Sequence, residues 1–255
     1  MIIAPFFVVA GCNEKSQNAD VKVETGSPEI KQSSGVQAFD PATAGTISGK
    51  VVFEGQAPAP QALSIAGNPE CAAMHPGGQV DSEELLVNQG MLQNVFIYIK
   101  EGLEGRAFDV PQQAVAIENK GCVYVPHVAG AQVNQPVDLV NSDPTLHNVH
   151  TYSKNSKSWN IGLPFQGMKQ TKKFSAPEVM VALKCDVHPW MRGYLGILPH
   201  PYFGVTGMDG TFELKNLPPG EYVIEAWHEK LGVQSQTVKI EPQETKEVSF
   251  SFKTA

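Results

Sequence analysis

The sequence predicts an all-β protein, a sandwich or a barrel, and three observations carry that expectation. Apolar and polar residues alternate over short runs, the period of a half-buried strand. No stretch sustains the helical period of an amphipathic helix. Turn residues, 23 Gly and 19 Pro, punctuate the chain throughout, as they do where many short strands follow one another. At 255 residues there is room for one large or two modest domains. A hydrophobic content of 42% against 18% charged is ordinary for a globular chain. The net charge of −7 argues against nucleic acid as a partner, because phosphate binding needs clustered Lys and Arg.

Residues 2–10, Ile-Ile-Ala-Pro-Phe-Phe-Val-Val-Ala, form an apolar run too short to span a bilayer but long enough for the core of a signal peptide. The run ends in Val9-Ala10-Gly11-Cys12, which resembles the lipobox of bacterial lipoproteins. That resemblance implies that segment 1–12 is a lipoprotein signal, that Cys12 carries lipid, and that the membrane is a partner through this anchor. Asn13 in the next position points, by the same family's sorting rule, to the periplasmic face of the outer membrane. No Lys or Arg precedes the apolar run, a departure from the family pattern. Residues 13–44 are polar and aperiodic, and cannot bury enough apolar surface to offset the entropy of ordering; they read as a disordered tether.

Strands follow in series. Thr46–Glu54 is the first and Gln93–Lys100 the second, with Val95, Ile97 and Ile99 on one face. The region between them is irregular and holds Cys71-Ala-Ala-Met74-His75. Ala114–Glu118, Cys122–His127, Val137–Val140, Thr145–Tyr152, Thr171–Ser175, Glu178–Cys185 and Tyr194–Leu198 come next. From Phe203 the pattern becomes a tight meander, with Asp209-Gly210 a hairpin signal and Pro218-Pro219-Gly220 another turn. Phe212 and Leu214 alternate, as do Tyr222, Ile224 and Ala226, and then Val248, Phe250 and Phe252.

The run Asp209-Gly-Thr-Phe-Glu-Leu-Lys-Asn-Leu-Pro-Pro-Gly-Glu-Tyr222 resembles the carboxypeptidase regulatory-like modules, small transthyretin-like sandwiches. The opening strands of that family resemble Ile47–Phe53 and Val95–Ile99. Those segments precede the intervening strands here, so we expect one sandwich split into 45–108 and 202–255, with a second domain, 109–201, inserted in a loop of it. Two domains in tandem is the alternative.

The chemistry concentrates in Cys185-Asp-Val-His188-Pro-Trp-Met191-Arg-Gly193, a C-x-x-H-x-x-M spacing. A thiolate, two imidazoles and a weak axial thioether make a blue-copper electron-transfer site, and Leu146-His147-Asn148-Val149-His150 supplies the second imidazole. Val179, Val181, Leu183 and Cys185 share one parity, which turns the thiol toward the core. His147 shares its parity with Val149, so His147 rather than His150 is the inward candidate. Both motifs resemble the cupredoxins, in particular their short-ligand-loop, amicyanin-like members, over residues 115 to 199. The resemblance implies a Greek-key sandwich holding one type 1 copper through His147, Cys185, His188 and Met191. It also implies that Asn148 ties its strand to the Cys185 loop. In that family the outer edge of the loop histidine emerges through an apolar patch as the electron port, here His188 with Pro189 and Trp190.

Two cysteines stand apart. An exported chain favours a disulfide between Cys71 and Cys122; the rival is a Cys2His2 zinc site with His75 and His127. His150, His200 and His228 receive no role. There is no His-x-His pair of the kind multicopper oxidases use, no G-x-S-x-G, no H-E-x-x-H and no phosphate loop, so the chain is not expected to be an enzyme. The expected function is that of a membrane-tethered carrier passing electrons to a redox partner protein. Copper storage or delivery, and a cell-envelope interaction module with a structural cupredoxin fold, are the alternatives.

Overall fold

The first strand after residue 40 shows why the chain folds as paired sheets. In β1 (Gly45–Phe53), Ile47, Val51 and Phe53 are buried while Lys50 is exposed. The structure, a computed structural model, describes Met1 and residues 40–77 and 79–254. The signal-like segment, Cys12 and nearly all of the expected tether lie outside the described residues. Everything from residue 40 onward falls within one compact unit, and the described residues are almost wholly strand and turn.

After β1 come β2 (Ala62–Ser64), the short helix α1 (Pro69–Met74), β3 (Gln79–Asp81), β4 (Val87–Asn88), β5 (Met91–Leu92) and β6 (Phe96–Glu101). The helix is an addition to the sequence reading. Asn68 caps it by accepting from Cys71 N at 3.1 Å, Pro69 sits at its first position and Glu70 in its first turn. That Asn-Pro-Glu start is a legible signal, but six residues are too few to show a period.

The middle of the chain forms a sandwich of its own. It runs through β7 (Val115–Asn119), β8 (Tyr124–Val125), β9 (Val128–Gln132), β10 (Val137–Asn141), β11 (His147–Tyr152), β12 (Asn160–Leu163), β13 (Lys169–Lys172), β14 (Glu178–Lys184) and β15 (Arg192–Leu198). One sheet is ordered β13-β10-β7-β8 and the other β12-β11-β14-β15-β9. Ile117, Leu139, Val149, Leu163, Val181, Leu183, Leu195 and Ile197 fill the space between them. Val179 breaks the expected parity and is exposed, because the pairing of β14 with β15 shifts register between Glu178 and Val181.

The last strands are β16 (Phe203–Val205), β17 (Thr211–Leu217), β18 (Gly220–His228), β19 (Gly232–Ile240) and β20 (Thr245–Phe252). They join the first strands rather than each other alone. β1 pairs with β17 and, in parallel, with β20; β6 lies between β16 and β18. The expected meander is therefore corrected. The Asp209-Gly210 and Pro218-Gly220 turns carry the chain from one sheet to the other, so that β17 faces β16 and β18 across a core. Phe212 and Leu214 from one sheet meet Ile224 and Ala226 from the other in a shared cluster with Ile47, Ile97 and Phe250. At Gly210 the turn needs φ +64, and its carbonyl accepts from Val51 N at 2.9 Å.

The strand β6 is buried on both faces. Ile97 and Ile99 enter the core shared with β1, while Phe96 and Tyr98 pack with Val128 and Leu198 of the middle sandwich. This contact requires glycine. Gly130 and Gly196 are register partners on β9 and β15, and a Cβ at either would lie within 2.5 Å of the Phe203 or Phe96 ring.

Candidate metal centre

Three buried side chains from two elements converge at one end of the middle sandwich. His147 opens β11, while Cys185 and His188 lie in the loop between β14 and β15. The loop is closed by its own backbone: Met191 N donates to His188 O at 2.9 Å, and Cys185 N to Met191 O at 3.3 Å. His147 Nδ1 and His188 Nδ1 stand 3.0 Å apart, and Cys185 Sγ lies 3.7 Å from His188 Nδ1. Ligand atoms from all three residues fall within 4.8 Å of one another. Both imidazoles are 0% exposed and the thiol 3%.

Asn148 fixes this geometry. Its Oδ1 accepts from Asp186 N at 2.7 Å and lies 3.3 Å from Cys185 Sγ, and its carbonyl accepts from the Tyr124 hydroxyl at 2.6 Å. The side chain thus ties β11 to the Cys185 loop. His150, one face over, points outward and meets Asp186 at 3.2 Å. Met191 is 1% exposed in the same apolar cluster as Cys185.

Asp143 is one residue the sequence reading missed. Its carboxylate accepts from Gly121 N at 2.7 Å, Cys122 N at 2.8 Å and His147 Nε2 at 2.9 Å. Burial alone would raise its pKa, but these hydrogen bonds outweigh burial and hold it below the usual carboxylate range. The only signal in the sequence is an acid four residues before a candidate ligand. Burial works against a charged His147 as well, yet Asp143 and Cys185 outweigh it and raise the imidazole. For Cys185, burial pushes the thiol up, but hydrogen bonds from the His147 and His188 rings and from the backbone N–H groups of Asn148 and His188 bring it down to about 6. The shift favours the thiolate, the form that binds metals.

Cys71 and Cys122 are joined in a disulfide, 51 residues apart in sequence. Neither histidine of the zinc alternative reaches them as a ligand: His75 Nε2 contacts Gly121 O at 2.7 Å, and His127 pairs with Glu229. His200 and His228 are buried, and burial pushes each imidazole down to about 4; His200 bonds to Ile99 O at 2.9 Å.

The expected electron port needs correction at its centre. His188 does not emerge at the surface, because α1 lies over it and Asn68 Nδ2 contacts His188 Nε2 at 2.8 Å. Pro189 and Val187 are exposed, and Trp190 is half-buried with its indole N–H donating to Cys122 O at 2.9 Å. The covering segment belongs to the connection between β2 and β3, outside the residues that carry the copper motif.

Fold and site together define an all-β protein with a buried thiolate–bis-imidazole centre, a donor set that fits a soft or borderline transition metal. No protein-family model matches the chain, and no curated protein matches it. Among solved structures, it is similar to the Cu-containing nitrite reductase (NirK) from Thermus scotoductus SA-01, at 19% identity and TM-score 0.31, over 38% of this chain and 24% of that one. It is also similar to the Cu(I) form of a mutant amicyanin, at 20% identity and TM-score 0.30, over 35% of this chain and 86% of the other. A third is a purple cupredoxin from Nitrosopumilus maritimus, at 22% identity and TM-score 0.28, over 35% and 99%. The chain thus spans about a quarter of the nitrite reductase.

Proposed function

We propose that this chain is a one-copper electron carrier of the cupredoxin type, with no catalytic turnover of its own. The observation that carries the reading is the convergence of Cys185, His147 and His188, buried and pre-set by Asn148 and Asp143. These residues would hold the ion, with Met191 as the weak fourth ligand. Copper supplies reversible one-electron chemistry there. What the protein contributes is a thiolate available at neutral pH and two imidazoles that need little movement, which keeps rearrangement between oxidation states small. An accessible, flexible site would suit storage or delivery; full burial of the three side chains favours the carrier.

The rest of the reading concerns setting. The lipobox-like Val9-Ala10-Gly11-Cys12 supports an exported lipoprotein, anchored through Cys12 at the periplasmic face of the outer membrane, with a redox partner protein. Mass spectrometry of fractionated cells tests the anchor; full-length, unmodified protein in the soluble fraction would exclude it. The copper reading is tested by the visible spectrum of Cu(II)-loaded protein. An intense band that bleaches reversibly on reduction, and is lost in Cys185→Ser, is the expected result. A Cys185→Ser protein that keeps the band rules out Cys185 as the thiolate ligand.

A further inference from the structure

The polar atoms around the triad form one continuous chain of hydrogen bonds whose direction is set at both ends. At one end the backbone N–H of Cys71 donates to Asn68 Oδ1 at 3.1 Å, the bond that caps α1. With its oxygen committed, Asn68 presents Nδ2 to His188 Nε2 at 2.8 Å. An amide nitrogen only donates, so His188 Nε2 accepts, and the neutral ring carries its proton on Nδ1. That proton points at His147 Nδ1, 3.0 Å away. In its neutral form His147 keeps its one remaining proton on Nε2 and donates it to Asp143 at 2.9 Å. Asp143, an acceptor only, ends the chain.

A metal ion at the triad needs a free Nδ1 lone pair on both rings, since these are the ring atoms that face each other and Cys185. His147 already offers one, because Asp143 holds its proton on Nε2. His188 does not. It must give up the proton on Nδ1 and carry one on Nε2 instead, and there that proton confronts the Asn68 amide nitrogen, another donor. The one oxygen of Asn68 then has two claimants, Cys71 N–H and His188 Nε2–H, on opposite sides.

We propose that Asn68 is the metal-responsive positioning residue of this centre. It holds His188 in the tautomer of the metal-free protein. On loading, its amide turns over, so that Oδ1 accepts from His188 Nε2–H and the first turn of α1 loses its cap. The helix stays in place meanwhile, because Cys71 is bonded to Cys122 and Ile65, just upstream, is buried in the core of the middle sandwich. A segment from outside the copper motif therefore senses whether the site is occupied. The choice of side chain matters. Aspartate caps a helix about as well as asparagine, but its second oxygen would accept from Nε2–H and favour the loaded tautomer, whereas the amide opposes loading and eases release. The inference rests on the copper reading only for the identity of the ion.

Nitrogen-15 NMR of the imidazoles at alkaline pH, where His147 is neutral, tests the relay without any metal. Metal-free wild type should carry the His188 proton on Nδ1, and Asn68→Asp should move it to Nε2. With Cu(I), which is diamagnetic, the wild-type proton should move to Nε2 and the Cys71 amide should exchange about 5-fold faster as its cap is lost. Asn68→Asp should bind Cu(I) about 10-fold more tightly in competition with a chelator, with Cys71 exchange no longer sensitive to loading. A metal-free wild type with its His188 proton on Nε2 overturns the proposal. So does a Cys71 amide unmoved by Cu(I) bound at the triad. Should Cu(I) not bind at all, the copper reading fails, and the two metal-free tautomers still decide the relay.

Discussion

Asp143 accepts a hydrogen bond from His147 Nε2 at 2.9 Å while the same carboxylate accepts from the backbone N–H groups of Gly121 and Cys122. Two oxygens thus serve three donors, and no amide can do the same. In Asp143→Asn, the Nδ2 group must face either Gly121 N–H or both Cys122 N–H and His147, leaving a buried donor opposed by another donor. The expected result is Cu(I) affinity about 10–100-fold weaker and stability lower by about 1–3 kcal/mol. Chelator competition and urea unfolding measure the two. Unchanged affinity would show that Asp143 supports the turn but not the ligand.

The contact between the two sandwiches gives a second prediction. A Cβ on Gly196 would lie 2.4 Å from the Phe96 ring, which is fully buried and has nowhere to swing. Gly196→Ala should cost about 1–3 kcal/mol, the usual cost of overpacking, seen as a lower urea midpoint. Combining it with Phe96→Leu, which makes room, should recover part of the loss. If the double variant is simply additive, the ring and the glycine are not coupled.

Much of this was legible in the sequence, and the reasons differ by residue. Cys185, His147 and His188 could be read because a strand period and a short spacing are local properties. Ile97 and Ile99 were legible for the same reason. Phe96 and Tyr98 were not: alternation suggested one buried face, and their burial depends on β9 and β15 of the middle sandwich. Asn68 and Asp143 lie 120 and 4 residues from the ligands they hold. The nearer one was missed because an acid in a turn usually has only solvent for company. The exit of His188 to the surface, implied by resemblance, failed because a helix from another part of the chain covers it. A strand-by-strand reading carries no information on such long-range cover.

The ionisation of Cys185 has a pH signature. Its pKa falls from the ordinary 9.0 to about 6 in the folded, metal-free protein. The unfolded chain therefore binds more protons between those values, and this group's contribution to stability rises with pH across that window. It is fully present above 9.0 and lost as pH falls through about 6. His147 has the opposite sign: with its pKa raised, its contribution is present below the unfolded value of 6.5 and is lost as pH rises through the folded value. Thiolate absorbance in the ultraviolet isolates the first effect and should titrate with a midpoint near 6. His147→Ala removes one of the two rings that stabilise the thiolate, and its midpoint should move upward. A midpoint that stays put would leave His188 and the backbone as the controlling groups.

The disulfide between Cys71 and Cys122 closes a span of 51 residues. In the chain-entropy view, such a loop stabilises the fold by about 4 kcal/mol through the unfolded state. Here it also lies beside His188: sulfur atoms of both cysteines come within 4.8 Å of a ring nitrogen of that residue, and Trp190 bonds to the Cys122 carbonyl. Its loss therefore has two separable consequences. Cys71→Ala with Cys122→Ala should lower stability by about 2–4 kcal/mol, and should also loosen α1 so that His188 becomes reactive toward diethyl pyrocarbonate in the metal-free protein. The remaining bonds of α1, His75 to Gly121 and Glu70 to Thr145, set how far it opens. If stability falls while His188 stays protected, these bonds and Ile65 suffice to hold the cover, and the disulfide acts on the unfolded chain alone. Should His188 become reactive with little change in stability, the disulfide is chiefly a latch on the metal-ligand edge.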